Sequence, residues 1–252
     1  MTEPRAAAKG KPNARADVAR RRSARKIAAE RDARRKRLFA IAGVVVLVAV
    51  AVGALIWALR RETPGNVQVQ VAQPLPADLP HDGRVIGNPN APVHVVEYGD
   101  FQCPACHQFF QNVQPTLIEQ YVKPGKVSFE FRDYAFIGPE SLTAAQAAMC
   151  ANDQGKFWQF HDSLYLNQGA ENSGAFSNAR LKAIARQVGL DATKFDQCLD
   201  SNAHQADVAK SIKDAQAQGV NSTPTLFVDG QKTDWRGWDG LKADIDKALG
   251  GA

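Results

Sequence analysis

Cys103 and Cys106 stand two residues apart in the stretch EYGDFQCPACHQFF, where an apolar run gives way to a helical pattern. Thiols this close can hold a metal, form a local staple or shuttle electrons. A two-residue gap at a helix start brings both sulfurs within bonding reach on one turn. Cys103 then falls at the helix N-terminus, where unpaired N–H groups and the macrodipole favour an anion. Pro104 suits the first turn, because the N–H it lacks has no partner there. The thiolate is the nucleophile, so a depressed pKa both activates Cys103 and makes it a better leaving group.

A helix terminus contributes up to about 2 kcal/mol, which is roughly 1.5 pKa units. The most oxidising dithiols need a drop from about 8.5 to ~3.5. The dipole alone cannot supply that, and Pro104 and Ala105 carry no ionisable group. An acidic Cys103 short of the extreme is therefore expected. Zinc ribbons require a second close pair of ligands, whereas Cys150 and Cys198 are far apart and His107 alone makes no ligand set. No metal and no organic cofactor are expected. A local structural disulfide remains an alternative.

Six residues before Cys103, Glu97 sits in the apolar run VVEY. A carboxyl buried in such a strand has a raised pKa and can pass a proton. An exposed or ion-paired strand residue is the bland alternative. Asp100, nearer in sequence, is expected at the surface.

These residues need a scaffold. VHVVEY (93–98) reads as a strand running into a helix from Cys103 to about Tyr121, and VSFEFRDY (127–134) alternates as a second strand. A long helical stretch follows, with Ser177 and Asp191 as N-caps and Gly155, Gly189 and Gly219 as stops. Trp158, Phe157 and Phe160 read as its core. Strand character returns at PTLFVDG (224–230) and QKTDW, before a last helix, WDGLKADIDKAL. This order suits an α/β sheet interrupted by a helical insertion at about 138–218.

Ahead of this domain the composition changes sharply. Residues 1–37 carry fourteen Lys/Arg against four Asp/Glu, whereas from Glu62 onward fifteen face twenty-two. Residues 38–59 contain no charge, and as a helix they would reach about 33 Å against a hydrocarbon core of roughly 30 Å. The run is longer than the apolar region of a cleaved signal peptide. It is expected to be an uncleaved transmembrane helix with the basic tail in the cytoplasm and the acidic domain outside. The basic run could be a nucleic-acid arm, but its place before the span reads as a topology signal that touches lipid, so no nucleic acid is expected. Residues 60–84, with four prolines from Pro64 to Pro80, read as a linker with a short strand at Val67–Val71. The domain proper is placed at 85–252. Outside the cytoplasm disulfides persist, and Cys150 and Cys198 read either as a structural bridge or as two buried thiols.

VVEYGDFQCPACHQF resembles the active-site segment of DsbA-type thiol–disulfide oxidoreductases, especially the membrane-tethered, BdbD-like forms. GVNSTPTLFVDG is similar to the cis-proline loop of the thioredoxin superfamily, and AAMCANDQGKFWQFHDSLYLNQ to the family's helical insertion. The resemblance covers roughly residues 85–250. It implies a thioredoxin-like fold with an all-helical insertion, Cys103 as exposed nucleophile and Cys106 as buried resolving thiol. It implies proton relay by Glu97, and Thr223-Pro224 as the dipeptide that faces the disulfide and receives an extended peptide. It also implies a second disulfide between Cys150 and Cys198. Strongly oxidising relatives often carry His where Ala105 stands, so the resemblance does not imply extreme oxidising power. The implied activity is a monomeric, extracytoplasmic dithiol oxidase that introduces disulfides into reduced exported proteins. A quinone-linked membrane enzyme of the DsbB or vitamin K epoxide reductase-like type would reoxidise it. A reductase or isomerase, a peptide-holding chaperone and a copper carrier are the alternatives.

Overall fold

The computed structural model describes residues 31, 35–36, 39, 41–55, 67–233 and 237–251. The chain divides into two units, Met1–Arg61 and Glu62–Ala252. In the first, residues 41–55 are helical and exposed. Among the described residues no helix is long and apolar enough to cross a membrane. At 1.5 Å per residue 41–55 reaches only about 22 Å, and the remainder of the expected span, at 38, 40 and 56–59, lies outside the described residues.

The second unit is built on a six-stranded sheet. In chain order its strands are β1 (His81–Asp82), β2 (Val85–Ile86), β3 (Val93–Gly99), β4 (Val127–Asp133), β5 (Thr225–Val228) and β6 (Gln231–Lys232). Their spatial order is β1-β2-β4-β3-β5-β6, with β3 and β4 parallel and all other neighbours antiparallel. The short β1–β2 hairpin was not anticipated, because two-residue strands leave no alternation to read. Successive side chains on β3 point to opposite faces. Val93 and Val95 enter the main core, and Val96 and Tyr98 pack with Phe227, Ala215 and Val220 on the other face. By the same alternation Glu97 lies on the main-core face.

That face is covered by α1 (Pro104–Asn112) and α2 (Gln114–Leu117), which a π-turn (Ile118–Val122) prolongs. A single helix from Cys103 to Tyr121 was expected. Pro115 breaks it, since its ring cannot donate and clashes with the carbonyl four residues back. The insertion comprises α3 (Pro139–Asn152), α4 (Phe157–Leu166), α5 (Asn178–Val188), α6 (Ala192–Asp200) and α7 (Gln205–Ala217), and α8 (Trp238–Ala248) closes the fold. In α3 the alanines at 144, 145, 147, 148 and 151 are all buried, and this helix packs against α4 to α7. Small side chains on every face are what a central helix with neighbours all round requires. Asp191 caps α6 by accepting from the N–H groups of Thr193 and Lys194, and Gly189 ends α5 at φ 77°. Phe157, Trp158 and Phe160 are buried as expected.

Residues 67–76 depart from the expected linker. They form no strand, yet Val69, Val71 and Leu75 pack against the main core. Gln70 exchanges two bonds with the Asn167 amide, its N–H donating at 2.9 Å and its carbonyl accepting at 2.6 Å. The Ala72 N–H donates to Ser163 Oγ at 3.0 Å, and its carbonyl accepts from Gln159 Nε2 at 3.0 Å. Side chains of α4 thus replace a strand partner, a pairing that leaves no periodic trace in the segment itself.

Candidate active site

Cys103 is the N-cap of α1, in extended conformation (φ −72°, ψ 121°), with Pro104 opening the helix. Its N–H donates to the Asp100 carbonyl at 3.0 Å, and its carbonyl accepts the first helical bond from the His107 N–H at 3.1 Å. Expected to be exposed, Cys103 is only 7% accessible. The 223–224 loop covers it: the thiol donates to the Thr223 carbonyl at 3.4 Å, and the Thr223–Pro224 peptide is cis. Pro104 and Ala105 remain exposed beside it. Cys106, three residues on, is fully buried, and both thiols are free.

Electrostatics separates the two thiols. Cys103 falls from the ordinary thiol range to about 6, chiefly because the Cys106 S–H donates to its thiolate. Burial opposes this shift, while Thr223 and the backbone N–H groups of Cys106 and Ala105 reinforce it. A carbonyl accepts from a thiol but cannot stabilise a thiolate. The Thr223 hydroxyl, buried and otherwise unpartnered, is the donor available once the proton has gone. Cys106 is pushed far above its ordinary value by burial, by Cys103 and by Glu97. One sulfur is therefore suited to be an anion and the other to hold its proton.

Glu97 explains part of that division. It is 1% accessible, and neither carboxylate oxygen has a hydrogen-bond partner. Burial, and then the charge of Cys103, raise its pKa well above the usual carboxylate range. Gly99 allows this packing. A Cβ there would lie 2.4 Å from Phe131 Cε2 and 3.3 Å from Glu97 Oε1.

Asp100 corrects an expectation. It is buried, at 1% accessible, because its carboxylate has four donors. Oδ1 accepts from the Gln102 N–H at 2.8 Å and the Ser141 hydroxyl at 2.7 Å; Oδ2 accepts from the N–H groups of Phe136 and Ile137 at 2.9 and 3.1 Å. The insertion adds further restraints on the same turn. Gln168 Nε2 donates to the carbonyls of Phe101 and Cys103 at 2.7 and 3.0 Å, and the Gln102 side chain bonds Ser141 and Asn172. Sequence reasoning missed Gln102, Ser141, Gln168 and Asn172. Their partners are mostly 39–70 residues away, and an isolated amide or hydroxyl carries no signature.

The structure thus brings Cys103, Pro104, Ala105, Cys106, Glu97, Thr223 and Pro224 to one locus. Cys150 and Cys198 belong to a separate place, where they are disulfide-bonded between α3 and α6.

A thioredoxin family profile matches residues 80–247. The chain is 34% identical over 168 residues to the probable disulfide bond formation protein D of Bacillus cereus, spanning 65% of this chain and 77% of that protein. The structure resembles oxidised BdbD from Bacillus subtilis with TM-score 0.63 and 26% identity, covering 73% of this chain and all of that one. It also resembles a reduced disulfide bond oxidoreductase, DsbG, from Mycobacterium tuberculosis, with TM-score 0.56 and 30% identity over 71% and 90% of the two chains. The chain belongs to the DsbA-type thiol–disulfide oxidoreductases. Its catalytic class is therefore the exchange of a dithiol for a disulfide.

Proposed function

We propose that Cys103 and Cys106 are the redox pair and that the domain acts outside the cytoplasm as a dithiol oxidase for exported proteins. The observation that carries this reading is the split between the two thiols: Cys103 at about 6 on a helix N-terminus, Cys106 held far higher above an unpartnered Glu97. In the oxidised enzyme a substrate thiolate attacks the Cys103 sulfur. The S–S bond breaks, and Cys106 leaves as a thiolate that takes a proton from the Glu97 carboxyl. A second substrate thiolate then attacks the substrate sulfur of the mixed disulfide, and Cys103 departs as a stable thiolate. The substrate gains one disulfide and the enzyme both electrons. Of the two substrate thiol protons, one replaces the proton Glu97 gave up and the other goes to solvent.

The cis-proline loop supports a role for Thr223 and Pro224 in receiving an extended segment of substrate beside Cys103. The uncharged run 38–59 behind fourteen basic residues supports a single-pass anchor with the tail in the cytoplasm. A membrane-bound, quinone-linked reoxidase of the DsbB or vitamin K epoxide reductase-like type completes the cycle. The same pair could run as a reductase, and the potential discriminates. Equilibration of the chain with glutathione is expected to give roughly −180 mV or above; about −270 mV would assign it as a reductant.

A further inference from the structure

The second cysteine pair has neighbours that a mere staple does not need. Cys150 lies in the last turn of α3, Asp153 stands at the C-cap position of that helix, Cys198 lies in α6, and His204 stands at the N-cap position of α7. The sulfurs of Cys150 and Cys198 and a ring nitrogen of His204 all lie within 4.8 Å of one another. Asp153 Oδ2 is 2.8 Å from His204 Nε2 and 3.9 Å from Cys198 Sγ, so a carboxylate oxygen faces the same point. On the far side of the imidazole, Nδ1 is 2.8 Å from Asp207 Oδ2. Among the described residues this is the sole group of three or more His, Cys, Asp or Glu donors so gathered, and Cys103 and Cys106 are not part of it.

Two thiolates, an imidazole and a carboxylate are a donor set for tetrahedral zinc. Metal-bound histidines characteristically donate their other N–H to a carboxylate, which fixes the tautomer. Asp207 occupies that position and leaves Nε2 for the ion. We propose that breaking the Cys150–Cys198 bond turns this staple into a binding site for a zinc-class divalent ion, with Cys150, Cys198 and His204 as ligands and Asp153 as the fourth. A phosphine supplies two electrons and becomes the phosphine oxide with an oxygen from water, whose two protons go one to each sulfur as the S–S bond breaks. Zinc then displaces both protons from the thiols. The ion would tie α3, α6 and α7 together in the state that lacks the covalent bond.

The test uses the full chain with Cys103→Ser and Cys106→Ser, so that only the second pair can contribute thiolates. The oxidised protein is reduced anaerobically with a phosphine, freed of excess reductant and titrated with zinc chloride against a chromogenic chelator. One equivalent should bind to the reduced chain and none at comparable affinity to the oxidised chain. Cobalt in place of zinc should show a thiolate-to-metal charge-transfer band. His204→Ala should weaken zinc binding at least tenfold, and Asp207→Asn by about tenfold, while the melting temperature of the oxidised chain falls by no more than the loss of one ion pair in Asp207→Asn and of two in His204→Ala. If reduction unfolds the domain, zinc should restore its circular dichroism, because binding then drives folding. The proposal is overturned if the reduced chain takes up zinc no better than the oxidised one, if zinc fails to restore an unfolded reduced chain, or if His204→Ala binds as tightly as the parent.

Discussion

The two cysteine pairs of this domain have opposite surroundings. Cys103 and Cys106 share one helical turn at a helix start, with a cis-proline loop against Cys103 and an unpartnered carboxyl acting on Cys106. Cys150 and Cys198 are 48 residues apart and join the ends of two helices. The first pair is set so that its sulfurs differ in proton affinity, which is what directional exchange requires. The second closes a long loop, which restricts the unfolded chain. Spacing in sequence thus separates a pair that can turn over from one that holds, and the side chains around each complete the distinction.

Removing a sulfur from each pair should give the largest contrast. Cys103→Ser is expected to cut thiol–disulfide exchange with a reduced peptide by on the order of 10³-fold or more, as for loss of a covalent nucleophile, with little change in folding. Replacing both Cys150 and Cys198 by Ser should do the reverse. Exchange rates would stay within about twofold, while stability falls by about 4 kcal/mol, or roughly 8–16 °C in melting temperature. A double variant with slowed exchange and unchanged melting would sink the distinction.

Glu97→Gln sharpens it further. Without a proton to give, the variant should exchange about 10- to 100-fold more slowly. The folded carboxyl titrates well above its unfolded value, so its burden on stability is absent below the unfolded pKa and grows as pH rises above it. Denaturation midpoints should therefore show the variant more stable than the parent at pH 7 and equal to it near pH 4.

The pH response of the reduced chain comes next. Cys103 is depressed to about 6 when folded, against roughly 8.5 in an unfolded chain. Its stabilisation is complete above about 8.5 and lost as pH falls through about 6. The reduced domain should gain stability across that window relative to the oxidised one, whose sulfurs carry no titrating proton. Above it, the high-lying Cys106 works in the other direction. Alkylation of reduced chain by iodoacetamide should rise with a midpoint near 6; a midpoint at about 8.5 would remove the proposed nucleophile. The smallest effect belongs to the scaffold. Asp191→Ala deletes the N-cap of α6 and should lower stability by about 1 kcal/mol without changing the redox potential, read by urea unfolding and glutathione equilibration.

Much of this was legible in the sequence, because local rules govern it. The apolar run VHVVEY and the alternation in VSFEFRD marked both long strands, and the apolar setting of Glu97 raised a buried carboxyl beside the alternative of an exposed one. Pro104 marked the first turn of α1, and Asp191 and Gly189 marked the edges of their helices. Other features were misread for reasons equally physical. Asp100 appeared to be a surface residue until four donors from three segments made its burial tolerable. Residues 67–76 read as a free linker because their partners are side chains of α4, not another strand. Thr223 offered a hydroxyl whose value depends on a sulfur 120 residues away.

By itself the chain determined which thiols are adjacent, that a carboxyl sits within the strand leading to them, and where several helices start and stop, since each follows from spacing or from a single side chain's conformational limits. Tertiary structure alone decided how far Cys103 is buried, which donors its anion meets, and how Asp153, Cys198 and His204 converge. Proton affinity and ligand geometry depend on distances of a few ångströms between segments remote in sequence, and only packing sets those distances.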